Sequence, residues 1–260
     1  MAQSSVWKGY DRASIASLPR TIWLGSGEVG TGKTRFGLQM PAPILVQSLD
    51  KGMEGVVDQI LAEQPDKEIY VREYDWNPQA DNFSQEVAIE LRDKILADFE
   101  HGKKHARSIL WDKETDIRAV FQYAEFGGPT NAGNIKDYDR LNQRYFNLIN
   151  GAKNVPGLNF GLIQSMKDEW QSTDSGKVDQ NTGKRKKEMS KTGRRIRAGF
   201  DRLDELVMTE LHFVRENGEF SIMVGKCRQN SSLMDQTIPA CTYAELGAML
   251  VSGTEEGDWQ

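Results

Sequence analysis

The sequence predicts an α/β domain with a mostly parallel central sheet and antiparallel strands at its C-terminal edge. Three observations predict it. A glycine-rich loop stands between an apolar strand and a helix in Thr21 to Arg35, TIWLGSGEVGTGKTR. A second short apolar strand follows that helix, giving a βαβ unit and hence parallel pairing. Near the C-terminus, two alternating segments meet at Asn217 and Gly218, as in an antiparallel pair.

The loop satisfies G-x-x-x-x-G-K-[ST] through Gly27, Gly32, Lys33 and Thr34. A triphosphate needs inward-facing backbone N–H groups, and glycine lets the chain approach without a Cβ clash. The predicted phosphate cradle is therefore Gly27, Glu28, Val29, Gly30, Thr31, Gly32, Lys33, Thr34 and Arg35. Lys33 would reach the outer phosphates, Thr34 would place its hydroxyl on Mg²⁺, and the following helix would add its dipole.

The remaining elements follow in order. Residues 1 to 20 read as a polar arm with isolated Trp7 and Tyr10, and 21 to 250 as one domain. The phosphate-loop helix runs to Pro41, and Ile44 to Val46 is the next strand. Residues 53 to 62 look helical, and EIYVREY from Glu68 has strand alternation. Phe83, Val87, Leu91, Ile95 and Phe99, four apart, predict an amphipathic helix closed by Gly102. Ser108 to Trp111 is an apolar run ending in Asp112, expected at the tip of a strand beside the phosphate-loop strand, opposite Thr34, to hold the metal's water shell. A Gly- and Asn-rich loop with Phe121, Tyr123 and Phe126 follows, then a helix from about Asp139 to Lys153. Leu158 to Ile163 is a further strand, ending in Gln164.

Residues 177 to 197 hold nine basic residues against two acidic ones and almost nothing apolar, which predicts disorder in the free protein. The chain as a whole carries −5, so removing this segment's +7 leaves −12. The protein reads as an acidic body with one flexible basic loop, 171 to 198. YAELGAML is a last short helix, and 251 to 260 an acidic, solvated tail.

Composition excludes several classes. Cys227 and Cys241 are the only cysteines, so neither a disulfide framework nor a cysteine zinc site is implied. No signal-peptide layout and no apolar run near 18 residues is present, which predicts a cytoplasmic protein with no membrane partner. His101 and His105 are four apart, but Gly102 between them and the lack of a third ligand argue against a metal site.

The order of these motifs resembles the RecA-like P-loop ATPase core, and more narrowly the short phage-encoded RecA-like ATPases that accompany single-strand annealing and recombination. The resemblance rests on the phosphate loop, on SLD at Ser48 to Asp50, on Asp112 and on GLIQS ending in Gln164. It implies ATP and Mg²⁺ as cofactors, slow and DNA-stimulated ATP hydrolysis, and single-stranded DNA as partner. Asp50 is implied as the base that orients the attacking water, and Gln164 as the group that passes nucleotide state to the basic loop. Lys226 and Arg228 would reach the ATP of a neighbouring subunit, in a ring or filament. Tyr123 and Phe126 would stand in a first DNA loop, and Lys184, Arg185, Lys186, Lys187, Lys191, Arg194, Arg195 and Arg197 in a second. An annealing or single-strand-binding protein is a possible partner. The sequence also leaves open a P-loop nucleoside or nucleotide kinase, with the basic segment as lid, and a binding module that holds ATP without turnover.

Overall fold

The fold is taken from a computed structural model, which describes residues 19–80, 83–128, 135–178 and 185–260. The arm's Trp7 and Tyr10, and Lys184 of the basic segment, lie outside them.

The chain runs β1 (Ile22–Gly27), α1 (Lys33–Gly37), β2 (Ile44–Ser48), α2 (Glu54–Glu63), β3 (Ile69–Glu73), α3 (Gln85–His105), β4 (Ser108–Asp112), α4 (Glu114–Phe126), α5 (Ile135–Lys153) and β5 (Asn159–Gln164). It continues with β6 (Met166–Val178), β7 (Arg185–Arg197), α6 (Leu203–Leu206), β8 (Thr209–Glu216), β9 (Glu219–Cys227), β10 (Thr237–Pro239) and α7 (Tyr243–Leu250). Eight strands form one sheet in the order β10-β9-β8-β1-β5-β4-β2-β3. From β8 to β3 every pairing is parallel, and β9 and β10 close the other edge antiparallel. The expected α/β class and its antiparallel edge hold. The hairpin turns at Asn217 and Gly218, both at positive φ (51° and 89°), where glycine costs least.

Alternation along the strands feeds two cores. Ile22, Leu24, Ile109, Trp111, Phe160 and Leu162 face α3, α4 and α5 on one side. Trp23, Val46, Leu110 and Ile163 face α1, α2 and α7 on the other. This two-sided burial explains why the inner strands read as unbroken apolar runs.

Several expectations are corrected. Asp112 lies on a strand that is not beside β1, because β5 runs between them. Gly102 does not close its helix: α3 continues to His105, and a β-carbon at Gly102 would strike Leu45 and Ile109. Its glycine serves close helix-to-sheet approach. The histidines therefore share a helix, with ring centroids 4.4 Å apart, but no group of three metal-ligating side chains occurs among the described residues. Phe121, Tyr123 and Phe126 sit on α4 rather than in a loop. Of the basic segment, Arg185–Arg197 is a strand: β7 pairs antiparallel with β6 as a separate two-stranded ribbon. Its backbone hydrogen bonds are satisfied across the ribbon, and Arg197 at its foot pairs with Glu210 of the sheet, so a core is not required for order. The C-terminal stretch is not wholly solvated, since Trp259 is fully buried against Tyr243 and Gly247. No helix among the described residues is long and apolar enough to cross a membrane.

Candidate nucleotide site and its link to a basic ribbon

Parallel register sets the site. Ser26 of β1 is level with Gln164 of β5, Ile163 with Asp112 of β4, and Asp112 with Ser48 of β2. The C-terminal tips of four strands thus bring residues far apart in sequence into one row, as open parallel sheets do.

The loop from Gly27 to Gly32 leaves β1 and enters α1. Gly27, Gly30 and Gly32 have φ of 150°, 78° and 87°, and a β-carbon at Gly27 would run into the Phe213 carbonyl. Glu28, Val29 and Gly30 form an exposed crest, with Val29 96% exposed. Lys33 Nζ donates to Gly27 O at 2.9 Å and Glu28 O at 2.6 Å, so its ammonium lies inside the loop's curve. Burial lowers its pKa, against the attraction of Asp112 and Glu28. Thr31 Oγ1 braces the crest by donating to Glu28 O at 2.8 Å. Arg35 turns to α2, where its guanidinium meets both Glu63 oxygens at 2.7 and 2.8 Å.

Thr34 Oγ1 donates to Asp112 Oδ2 at 2.7 Å. The intervening strand therefore does not separate them: the loop carries Thr34 across β5 to the β4 tip. Asp112 is 3% exposed, and burial raises its pKa although the Thr34 hydroxyl favours the charged form. A hydroxyl and a carboxylate in contact are the hard oxygen donors Mg²⁺ takes, and the loop's N–H groups and Lys33 suit phosphate, so the residues fit both groups.

Asp50 lies two residues beyond β2, which ends at Ser48. Its backbone N–H is held by Ser48 Oγ at 3.1 Å and its carboxylate pairs with Lys113 at 2.9 Å. Burial pulls Lys113 down, but the hydrogen bond and charge of Asp50 prevail and its pKa is raised.

Gln164 is buried, and its Nε2 donates to Glu114 Oε2 at 2.7 Å. Its Oε1 accepts no hydrogen bond from the described residues. Glu114, the first residue of α4, is fully buried. Its other oxygen accepts from Tyr145 OH at 2.6 Å, and burial pushes its pKa up to about 7. Arg118 stands beside it, 5.1 Å from the Tyr145 ring and 5.0 Å from that of Phe200. Gly199 packs so tightly on Glu114 and Gln164 that a β-carbon would hit both. Ser165 N–H donates to Thr115 Oγ1 at 3.0 Å, and Ala198 N–H to Ser165 O at 2.8 Å. The β4 tip, the β5 tip and both feet of the ribbon are thereby one hydrogen-bonded unit.

The basic side chains of β7 divide into two sets. Arg195 reaches Glu28 of the phosphate loop at 3.4 Å, and Arg197 pairs with Glu210 at 3.1 Å. These two tie the ribbon to the sheet. Arg194 is exposed, and Lys191 lies 5.4 Å over the ring of Trp170 on β6, which is 52% exposed. The side chains of Arg185, Lys186 and Lys187 lie outside the described residues. Between ribbon and sheet lies a cavity of about 780 Å³ bordered by Glu28, Gln164, Arg195, Arg197, Glu210 and His212.

Other expected residues are placed elsewhere. Tyr123 packs edge-on against Trp76 and Phe83, and Phe126 packs at a tilt against Tyr138, so neither ring stands free as a stacking platform. Lys226 and Arg228 sit at the opposite end of the sheet from the phosphate loop, since Cys227 pairs with Thr209 and Thr209 with Trp23. There they donate to the Asp204 and Glu205 carbonyls. Sequence reasoning missed Glu114 and Arg118 on α4 and Tyr145 on α5, whose roles depend on those two helices meeting at the β5 tip. Trp170 carried a signal, an aromatic residue opening the basic stretch.

No family model and no curated protein matches the sequence. Solved structures do. The chain is similar to the RadB recombinase, with 13% identity and a TM-score of 0.45 over 84% of this chain and 86% of that one. It is also similar to an ATPase of the type III secretion system of pathogenic bacteria, with 12% identity and a TM-score of 0.40 over 75% of this chain and 52% of that one. The chain thus spans about half of that ATPase, and likenesses this distant carry no argument about ligand or activity.

Proposed function

We propose that the protein binds ATP with Mg²⁺, hydrolyses it slowly, and couples the nucleotide state to single-stranded DNA held on the ribbon, in phage-type recombination or annealing. The observation that carries this is the continuous contact from Thr34–Asp112 through Glu114–Gln164 to the ribbon's feet. When bound, the nucleotide would supply the transferable phosphoryl group and the metal its charge neutralisation.

The chain's own groups have distinct tasks. Gly27 to Gly32, with Lys33, would hold the phosphates, and Thr34 with Asp112 would hold the metal. Asp50 orients water and accepts its proton once Lys113 releases it. Gln164 turns its unpaired amide oxygen toward the site's water and shifts its bond to Glu114, moving the ribbon. On the ribbon, Trp170 offers a face on which any base can stack, while Lys191 and Arg194 neutralise phosphates without reading sequence. Lys226 and Arg228, remote from their own loop, serve only a neighbouring copy's nucleotide, which makes self-association part of the proposal. An annealing or single-strand-binding protein would act beside it.

One observation favours a second reading, in which ATP is a structural ligand without turnover: the Asp50 carboxylate is engaged by Lys113. Steady-state phosphate release, with and without single-stranded DNA at two salt concentrations, separates the two. Stimulation that weakens with salt and disappears in Lys33→Ala supports coupling. Tight ATP binding with no release under any condition supports the second reading.

A further inference from the structure

Two cavities adjoin the phosphate loop, and they differ in chemistry. The one under the ribbon is bordered by arginines and glutamates. The other, of about 320 Å³, begins at Thr31 and Gly32 and runs along α1 between Arg35, Phe36 and the β9 segment that starts at Phe220. Its lining also includes Ile222 and Cys241. We propose that this second cavity takes the base and ribose of a purine nucleotide, with Phe220 as the stacking surface and Cys241 in its lining. The inference rests on the nucleotide-binding reading above and adds what that reading lacks, a seat for the base.

Geometry supports it in three ways. Phosphates gathered at the start of α1 leave the nucleoside to extend from that point, and this cavity opens there. Its size lies at the lower end of small-ligand pockets, roughly 300–1,000 Å³. Phe220 is 39% exposed, which leaves part of its ring open to a ligand, and it lies near enough to Gly32 that a β-carbon there would meet it at 3.6 Å. Arg215 stands 4.9 Å from the ring centroid, which braces the ring from its own strand pair. A flat base offers the ring an apolar partner that water does not, and stacking is tolerant of base identity. ATP and GTP should therefore both fit.

The chain's two cysteines supply the test. Cys227 is 3% exposed, whereas Cys241 is half-buried in the cavity wall, and burial pushes its thiol pKa up to about 11. Alkylation of the full-length protein by a small maleimide at mildly alkaline pH, with Cys241→Ser as the labelling control, reports on this wall alone. ATP with Mg²⁺ is expected to slow labelling at least tenfold. Inorganic tripolyphosphate, which fills the phosphate loop without a base, is expected to leave the rate unchanged. Phe220→Ala is expected to weaken ATP about tenfold, at the low end of a lost base stack, and to leave tripolyphosphate binding as it was. ATP that binds but leaves Cys241 labelling at the free rate, or equal weakening of both ligands by Phe220→Ala, overturns the base site alone. A protein that binds neither ATP nor tripolyphosphate overturns the nucleotide reading and this inference with it.

Discussion

The tips of the central strands and the β6–β7 ribbon use charge in opposite ways. At the tips, Asp112, Glu114 and Gln164 are almost wholly buried, and each meets a defined partner within 2.7 Å. On the ribbon, Lys191, Arg194 and Trp170 are exposed and make at most solvent-accessible pairs, such as Lys191 with Asp168 at 2.6 Å. A buried polar group changes arrangement only when a new partner replaces the old one, because losing a partner is costly, whereas exposed pairs contribute little and exchange readily. The tips are suited to position atoms for chemistry. The ribbon is suited to grip a polyanion of any sequence.

Changes at the tips should therefore cost fold and turnover, and changes on the ribbon only ligand binding. The largest expected effect is Glu114→Ala, which leaves the Tyr145 hydroxyl and the Gln164 amide without their buried partner and should destabilise the protein by roughly 2–5 kcal/mol in urea unfolding. A loss below 1 kcal/mol would break the contrast. Lys33→Ala should lower phosphate release about 10²–10³-fold with little change in thermal midpoint, as for removal of one preorganised donor.

Glu114 also sets a pH dependence. Its folded pKa, about 7, lies above the ordinary 4.5, so the folded state keeps the proton that the unfolded chain releases. Stability from this group is present below pH 4.5 and falls as pH rises to about 7, by up to about 3 kcal/mol. Urea titrations at pH 5 and pH 8 should show this fall in the wild type and not in Glu114→Gln.

On the ribbon, Trp170→Ala should weaken single-stranded DNA binding by about 1–3 kcal/mol and leave unfolding unchanged. Arg194→Ala should have the smallest effect, reducing the slope of log affinity against log salt by about 0.7.

Much of the sheet was legible because its inner strands are covered on both faces, and two-sided burial writes continuous apolar runs such as Ile22 to Leu24 and Ile109 to Trp111. The phosphate loop was legible for a local reason, since its function lies in backbone geometry that glycine spacing reveals. The ribbon was misread because β-pairing between two polar strands leaves no apolar pattern. The placement of Tyr123 and Phe126 failed for the converse reason: their packing partners Trp76, Phe83 and Tyr138 come from elsewhere in the chain. Gln164 was found as the end of an apolar run, but its bond to Glu114 depends on the β4–β5 register, which no single segment encodes.

The coupling itself is tested most directly by the affinity for a fluorescent single-stranded oligonucleotide, measured with and without ATP·Mg²⁺ in the wild type and in Gln164→Ala. The expected result is an affinity that changes with nucleotide in the wild type, and in Gln164→Ala no longer changes although ATP and DNA both still bind. An affinity indifferent to nucleotide in the wild type, with both ligands bound, would contradict the account.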